Sequence, residues 1–291
     1  MASGQTNEAT WTFSGKSFLD VDMLDNLPIE IRISQSGFPD SLKLNIQLLS
    51  MNKISENLID HSVEYLIKMF RLKDDLLSFY SEFNSDPISR AFKIFPGLRL
   101  MKAINLFESL ICSITSQNSS VKKWNFSINS IKQKFGRCFK FPDGNEFFMF
   151  PKPKDLVRIG CEGLKKCKTG YRTEYIANVS KLICEGTLNL NLLKEKSYTE
   201  AYENLLEIKG IGPKVADCFC LYGLGFTEAA PVDRWTARIV SKLYFNGETV
   251  SEMEAKEFIQ KRFGNWAGYA QLYLFHYART VREPTPLHDD F

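Results

Sequence analysis

The feature that most constrains this chain is a glycine–proline break between two amphipathic stretches. It lies in Ile208-Lys209-Gly210-Ile211-Gly212-Pro213-Lys214-Val215-Ala216-Asp217-Cys218. Leu205, Leu206 and Ile208 close one stretch that begins near Glu200, and the apolar rhythm resumes from Val215. Gly210 and Gly212 permit a turn too sharp for a side chain and a close approach of another backbone. Pro213 sits where a first-turn proline belongs, because its missing N–H would be an orphan there and its φ is preset. The spacing predicts helix, tight turn, helix. The second helix then opens with peptide N–H groups at Gly212, a ready anion site whose natural guest is a phosphate.

Three side chains give that turn chemical interest. Lys214 lies one residue inside the second helix, where the positive end of the dipole disfavours an ammonium. A lysine held neutral beside a phosphate is a good nucleophile. Cys218 is four residues on, on the same helix face. Asp233 follows Pro231-Val232 and precedes the amphipathic run Trp235, Ile239, Val240, Leu243, so it is placed as an N-cap. Each has an ordinary explanation alone. A lysine near a helix start is usually solvated, and an aspartate before a helix usually only caps it. Their order and spacing together argue for more.

The run 208–218 followed by Pro231-Val232-Asp233 resembles the helix-hairpin-helix and Gly/Pro-Asp loop of the DNA glycosylase superfamily. A lysine at 214 resembles the bifunctional glycosylase/lyase members, and the Ala216-Asp217-Cys218 continuation is closest to 8-oxoguanine DNA glycosylase/AP lyases. The resemblance spans about residues 60 to 280. It implies a damaged-base excision enzyme acting on double-stranded DNA, with Lys214 as nucleophile and Asp233 as the counter-charge. Gly210 and Gly212 would hold a phosphate, with any cation at the hairpin carbonyls structural only. No cofactor or catalytic metal is implied. Gln271 and Phe275, four apart on one helix face, would line the base pocket with Cys218. The polar run 111–120 would enter the gap left by a flipped nucleotide, Asn118 facing the orphaned base. Lys123 stands where the family often has arginine. Tyr171 would wedge into the stack and Arg172 read the orphan base. The family's N-terminal lesion-reading motif has only Gly15-Lys16-Ser17-Phe18 as a near match, and Trp235 stands where eukaryotic members have histidine.

Two other readings share parts of this pattern. An endonuclease III-like glycosylase for oxidised pyrimidines would share Lys214 and Asp233. Such relatives often carry a C-terminal four-cysteine iron–sulfur loop, and no cysteine follows Cys220. A non-catalytic DNA-binding protein could use the hairpin only for phosphate, and would have no use for Lys214 and Asp233 together.

Composition sets the frame. The 291 residues are 44% hydrophobic, enough for a sizeable core. Net charge is only +3, so any nucleic-acid surface must come from clustering. Seven irregularly spaced cysteines do not suggest a disulfide framework, and Cys161 and Cys167 have no matching pair for zinc. The polar start lacks the form of a signal peptide, and no stretch is long enough to span a bilayer. The expectation is an intracellular, DNA-associated monomer.

Alternation in 29–33 and 42–48, around a Gly37-Phe38-Pro39-Asp40 turn, predicts an antiparallel layer over 10–50 with one wet face. Helical periodicity predicts helices at 60–82, 86–94, 103–117, 121–134, 171–184, 197–208, 213–224, 234–244, 251–262 and 265–280. Residues 138–153 show no helical period and read as a packed excursion. The class is α+β, mostly α. Residues 1–95 are expected to form an N-terminal β domain with flanking helices. Residues 96–291 would form the helical body, with the hairpin near 200–224 and, by the resemblance, two helical domains flanking a cleft.

Overall fold

The computed structural model describes residues 12–14, 17–36 and 43–280. The chain opens in a four-stranded antiparallel sheet, β1 (Thr12–Ser14), β2 (Ser17–Leu24), β3 (Leu27–Ser36) and β4 (Lys43–Leu49), in chain order. Asp25 and Asn26 join β2 to β3 with φ of 50° and 62°. Positive φ at both central residues is the demand of a twisted two-residue hairpin, and Asp and Asn tolerate it. Ile29, Ile31 and Ile33 are buried, as their alternation requires. With Leu24 they pack on Leu58 and Leu66 of helix α1 (Glu56–Met69).

β4 departs from expectation. Leu44 and Ile46 remain exposed, and only Leu48 reaches the core beneath α1. The reason is position: β4 is an edge strand, and α1 covers the sheet near the Ile31–Leu48 pair but not the outer end. The Gly37-Phe38-Pro39-Asp40 turn, Gly15 and Lys16 lie outside the described residues.

The helix expected over 60–82 is two helices, α1 and α2 (Leu76–Glu82). The chain leaves helical geometry after Phe70, where Arg71 takes φ +50°, and restarts at Asp75, whose carboxylate accepts from the N–H groups of Leu77 and Ser78. Then follow α3 (Ser89–Ile94), α4 (Leu106–Thr115) and α5 (Val121–Phe135). The excursion at 138–153 contains a short hairpin, β5 (Cys138–Lys140) and β6 (Glu146–Phe148), tied to the N-terminal sheet by an Arg32–Asp143 ion pair. Helices α6 (Pro153–Lys165), missed in the sequence, and α7 (Arg172–Cys184) pack as a pair.

The rest is helical: α8 (Leu190–Lys194), α9 (Tyr198–Leu206), α10 (Pro213–Cys218) with a π-helical continuation Phe219–Leu224, α11 (Arg234–Tyr244), α12 (Glu252–Phe263) and α13 (Ala267–Thr280). A second, larger core runs from Leu76 to Leu274. At its centre α4 buries Phe107, Leu110, Ile111, Cys112 and Ile114. Burying a Leu, Ile or Phe of this kind contributes about 2 kcal/mol each. This makes α4 a rigid rod, and its C-terminal end delivers the polar run 116–120 to the hairpin.

Sheet and helical body meet at a largely buried charge cluster. Lys132 of α5 lies 4.0 Å from both Asp20 of β2 and Glu108 of α4, and Tyr65 donates to Asp22 at 2.5 Å. Burial pushes Asp20 up to about 7, against the pull of Lys132, and raises Asp22 and Glu108 as well. Among the described residues no helix is long and apolar enough to cross a membrane.

Candidate active site

The hairpin is built as its residues dictate. Helix α9 starts on a Ser197–Glu200 capping box, and the chain turns at Gly210 with φ +95°. A Cβ at 210 would fall 2.2 Å from Cγ of Tyr175, so the glycine is required by both conformation and packing. Gln117 fixes the turn from the other side, its Nε2 donating to the Gly210 carbonyl at 2.7 Å. Gly212 is different from expectation. Its φ is −92°, which any residue adopts, and a Cβ there would meet nothing within 4 Å. Among the described residues, neither strain nor a neighbour demands this glycine. Pro213 takes the first position of α10.

Lys214 is half-buried, and its Nζ donates to Ser116 Oγ at 3.0 Å. Cys218, one turn on, is buried. Its thiol is pushed up first by burial, then pulled down by the charge and hydrogen bond of Lys214 and pushed up by Asp233. Asp233 is the N-cap of α11 and half-buried. Its Oδ1 accepts from both N and Oγ1 of Thr236 at 2.9 Å. Gln271 of α13 is buried, reaches Thr236 Oγ1 through Nε2 at 3.5 Å, and leaves Oε1 without a partner among the described residues. A buried amide oxygen with no acceptor role filled is uncommon, and it suits a site that completes its bonds with a guest. Phe275, one turn along, is half-buried with the Arg279 guanidinium 5.2 Å from its ring centre.

The neighbouring residue of α10 has a different role. Asp217 is sealed, paired with Lys256 at 2.7 Å and accepting from Tyr198 at 2.7 Å. Burial raises it to about 6, while Lys256 pulls it down. It anchors α10 to α9 and α12.

The second group of expected residues gathers beside the hairpin. Asn118 is exposed with φ +41°, and its Nδ2 donates to Tyr171 Oη at 3.4 Å. Tyr171 is 51% exposed, with the Arg172 guanidinium 4.6 Å from its ring centre. Arg172 itself is only 9% exposed and donates to the carbonyls of Gln117, Asn118 and Thr169. As placed, it clasps the turn that carries Asn118. Lys123 is exposed on the first turn of α5. Trp235 is exposed, with Arg238 near its ring.

The sequence profile of the HhH-GPD superfamily of base excision DNA repair proteins matches residues 111–265, which takes in the C-terminal half of α4, the hairpin and Asp233. This chain belongs to that superfamily. It is 31% identical to a probable N-glycosylase/DNA lyase of Methanothermobacter thermautotrophicus, over 95% of this chain and 91% of the relative. Its fold matches MBOgg1 bound to a low-affinity DNA ligand with a TM-score of 0.81 and 29% identity, covering 96% and 90% of the two chains. It also matches an 8-oxoguanine glycosylase/lyase of Clostridium acetobutylicum, in complex with double-stranded DNA carrying cytosine opposite the lesion. There the TM-score is 0.78 and identity 25%, over 93% and 87%.

Within this HhH-GPD frame, four residues with a part in the site escaped sequence reasoning: Ser116, Gln117, Tyr175 and Thr236. The first three meet the hairpin only through the fold, from far off in sequence. Thr236 had a local signal, since Asp-x-x-Thr before a helix is a capping pattern.

Proposed function

We propose that this chain excises 8-oxoguanine from duplex DNA and then cleaves the strand by β-elimination, with Lys214 as nucleophile and Asp233 as counter-charge. One observation carries the assignment of roles. Among the described residues Lys214 rests on a serine hydroxyl and not on a carboxylate. An amine without a tight ion pair keeps its lone pair available on deprotonation, and a carboxylate nearby can face positive charge without neutralising the amine by contact.

The damaged nucleotide must leave the stack to reach these groups. The N–H groups around Gly210 and Gly212 would hold a phosphate on the lesion strand. Asn118 and Tyr171 would occupy the vacated space and meet the orphaned base. The unfilled Oε1 of Gln271 would take a hydrogen from the flipped base, whose faces would lie between Cys218 and Phe275. As the glycosidic bond breaks, Asp233 would stabilise the oxocarbenium-like sugar. Neutral Lys214 would attack the sugar carbon, the resulting Schiff base would eliminate, and the strand would be nicked. Proton and electron-pair transfers suffice for this sequence, so no redox cofactor or catalytic metal enters it. The acting form proposed is a monomer, working wherever the DNA is.

The test is a panel of duplexes, each with one lesion opposite each normal base, incubated with the full chain and borohydride. The 8-oxoguanine duplex should lose its base and form a trapped adduct, which Lys214→Gln abolishes. Excision of thymine glycol with 8-oxoguanine left intact would overturn the substrate assignment, and trapping by Lys214→Gln would overturn the nucleophile.

A further inference from the structure

Ser116 ends α4, in the polar run whose functional reading rested on Asn118 alone. Its hydroxyl sits between two partners. Its own hydrogen goes to the Ser113 carbonyl at 2.8 Å, and Lys214 Nζ donates to its oxygen at 3.0 Å. A hydroxyl has one hydrogen and two lone pairs. With that hydrogen committed, Ser116 can offer Nζ only a lone pair, so an N–H bond must point at it. An uncharged amine carries two hydrogens and one lone pair in a tetrahedral arrangement. With one N–H bond fixed on Ser116, rotation about Cε–Nζ is held, and the lone pair is confined to the tetrahedral directions that point away from the hydroxyl.

We propose that Ser116 is a positioning residue that stops rotation about the Cε–Nζ bond of Lys214, so that the lone pair and not an N–H bond meets the sugar carbon. The inference rests on the proposed role of Lys214. In the step it serves, the Nζ lone pair forms the bond to the sugar carbon. The glycosidic bond breaks with its electron pair leaving on the base, and the proton lost from nitrogen balances the one the base gains. Ser113, whose carbonyl pins the hydroxyl, is buried in the rigid part of α4, so the arrangement is held by the core and not by the loop.

The experiment is single-turnover borohydride trapping on an 8-oxoguanine duplex across pH, using the full chain, Ser116→Ala, Ser116→Cys, Ser116→Thr and Lys214→Gln. Ser116→Ala should lower the trapping rate by about tenfold, the worth of one hydrogen bond at a reacting group. The loss should persist on the alkaline plateau of the rate profile, with duplex affinity unchanged. Ser116→Cys, which keeps the volume but is a weak acceptor, should behave like alanine, and Ser116→Thr should restore most of the rate. Loss that vanishes on the plateau would mean the hydroxyl affects only proton affinity, and would overturn the inference. So would threonine as slow as alanine, or alanine as fast as the parent. Trapping retained in Lys214→Gln, or absent in the parent, would instead remove the nucleophile assignment, and Ser116 would fall with it.

Discussion

Two carboxylate–lysine neighbourhoods adjoin helix α10, and they differ in how each charged group is held. In one, Asp217 and Lys256 touch at 2.7 Å, both sealed, with Tyr198 adding a hydrogen bond. In the other, Lys214 and Asp233 are each half-buried, and each is held by a hydroxyl, Ser116 for one and Thr236 for the other. A sealed pair neutralises itself and fixes the helix. Groups held by hydroxyls, and not by each other, stay available to a guest. The sheet–body seam extends the comparison: Asp20, Asp22 and Glu108 share one lysine in the interior, and burial moves their protonation instead of leaving charge to act.

The largest expected effect separates the two neighbourhoods by stability. Lys256→Met keeps the chain length but removes the ammonium that pairs with Asp217 and lies 3.7 Å from the Tyr202 ring centre, and so strands a buried carboxylate. Breaking such a pair costs about 3–5 kcal/mol. Urea unfolding should show that loss, with turnover per folded molecule unchanged; reduced turnover in the folded fraction would erase the distinction. Next is Asp233→Asn. Asparagine caps a helix as well as aspartate, so stability and duplex affinity should hold, while single-turnover excision falls by about 10²–10³. A comparable loss of stability would make Asp233 another anchor.

The smallest effect concerns the seam. Asp20 binds its proton more tightly folded, at about 7, than its ordinary value of 3.8. Its contribution is therefore full below about pH 4 and is lost as pH rises through 7, because the folded state must then hold a buried charge. Asp20→Asn should flatten that decline, so that the variant gains on the parent between pH 5 and pH 8 by denaturant unfolding. Asp22 and Glu108, raised in the same direction, should keep part of the slope. Parallel parent and variant profiles would break the account.

Much of this was legible in the chain because its signals are local. Gly210 and Pro213 mark the hairpin by backbone constraint, and Ile29, Ile31 and Ile33 mark a strand by period. The helix Pro153–Lys165 was missed because Pro151-Lys152-Pro153 reads as a turn, although Pro153 is the first helical residue. Gly160, at φ +64°, then bends that helix and blurs its period. The break between α1 and α2 has no glycine or proline to announce it: Arg71 adopts positive φ while its side chain binds Asp74 and the Gly225 carbonyl. Ser116 and Gln117 carried no sign of their partners, which lie 98 and 93 residues away. Such contacts exist only once α4 is packed.

The clamp on Gly210 has a mechanical consequence. Gln117 grips its carbonyl and Tyr175 lies beneath it, and these two side chains adjoin Asn118 and Tyr171. The grips proposed for the broken and the intact strand are thereby bolted to one chassis. A protein so made has little freedom to close around its substrate, and the double helix, softest where a lesion has loosened its stack, is the partner that must bend to fit.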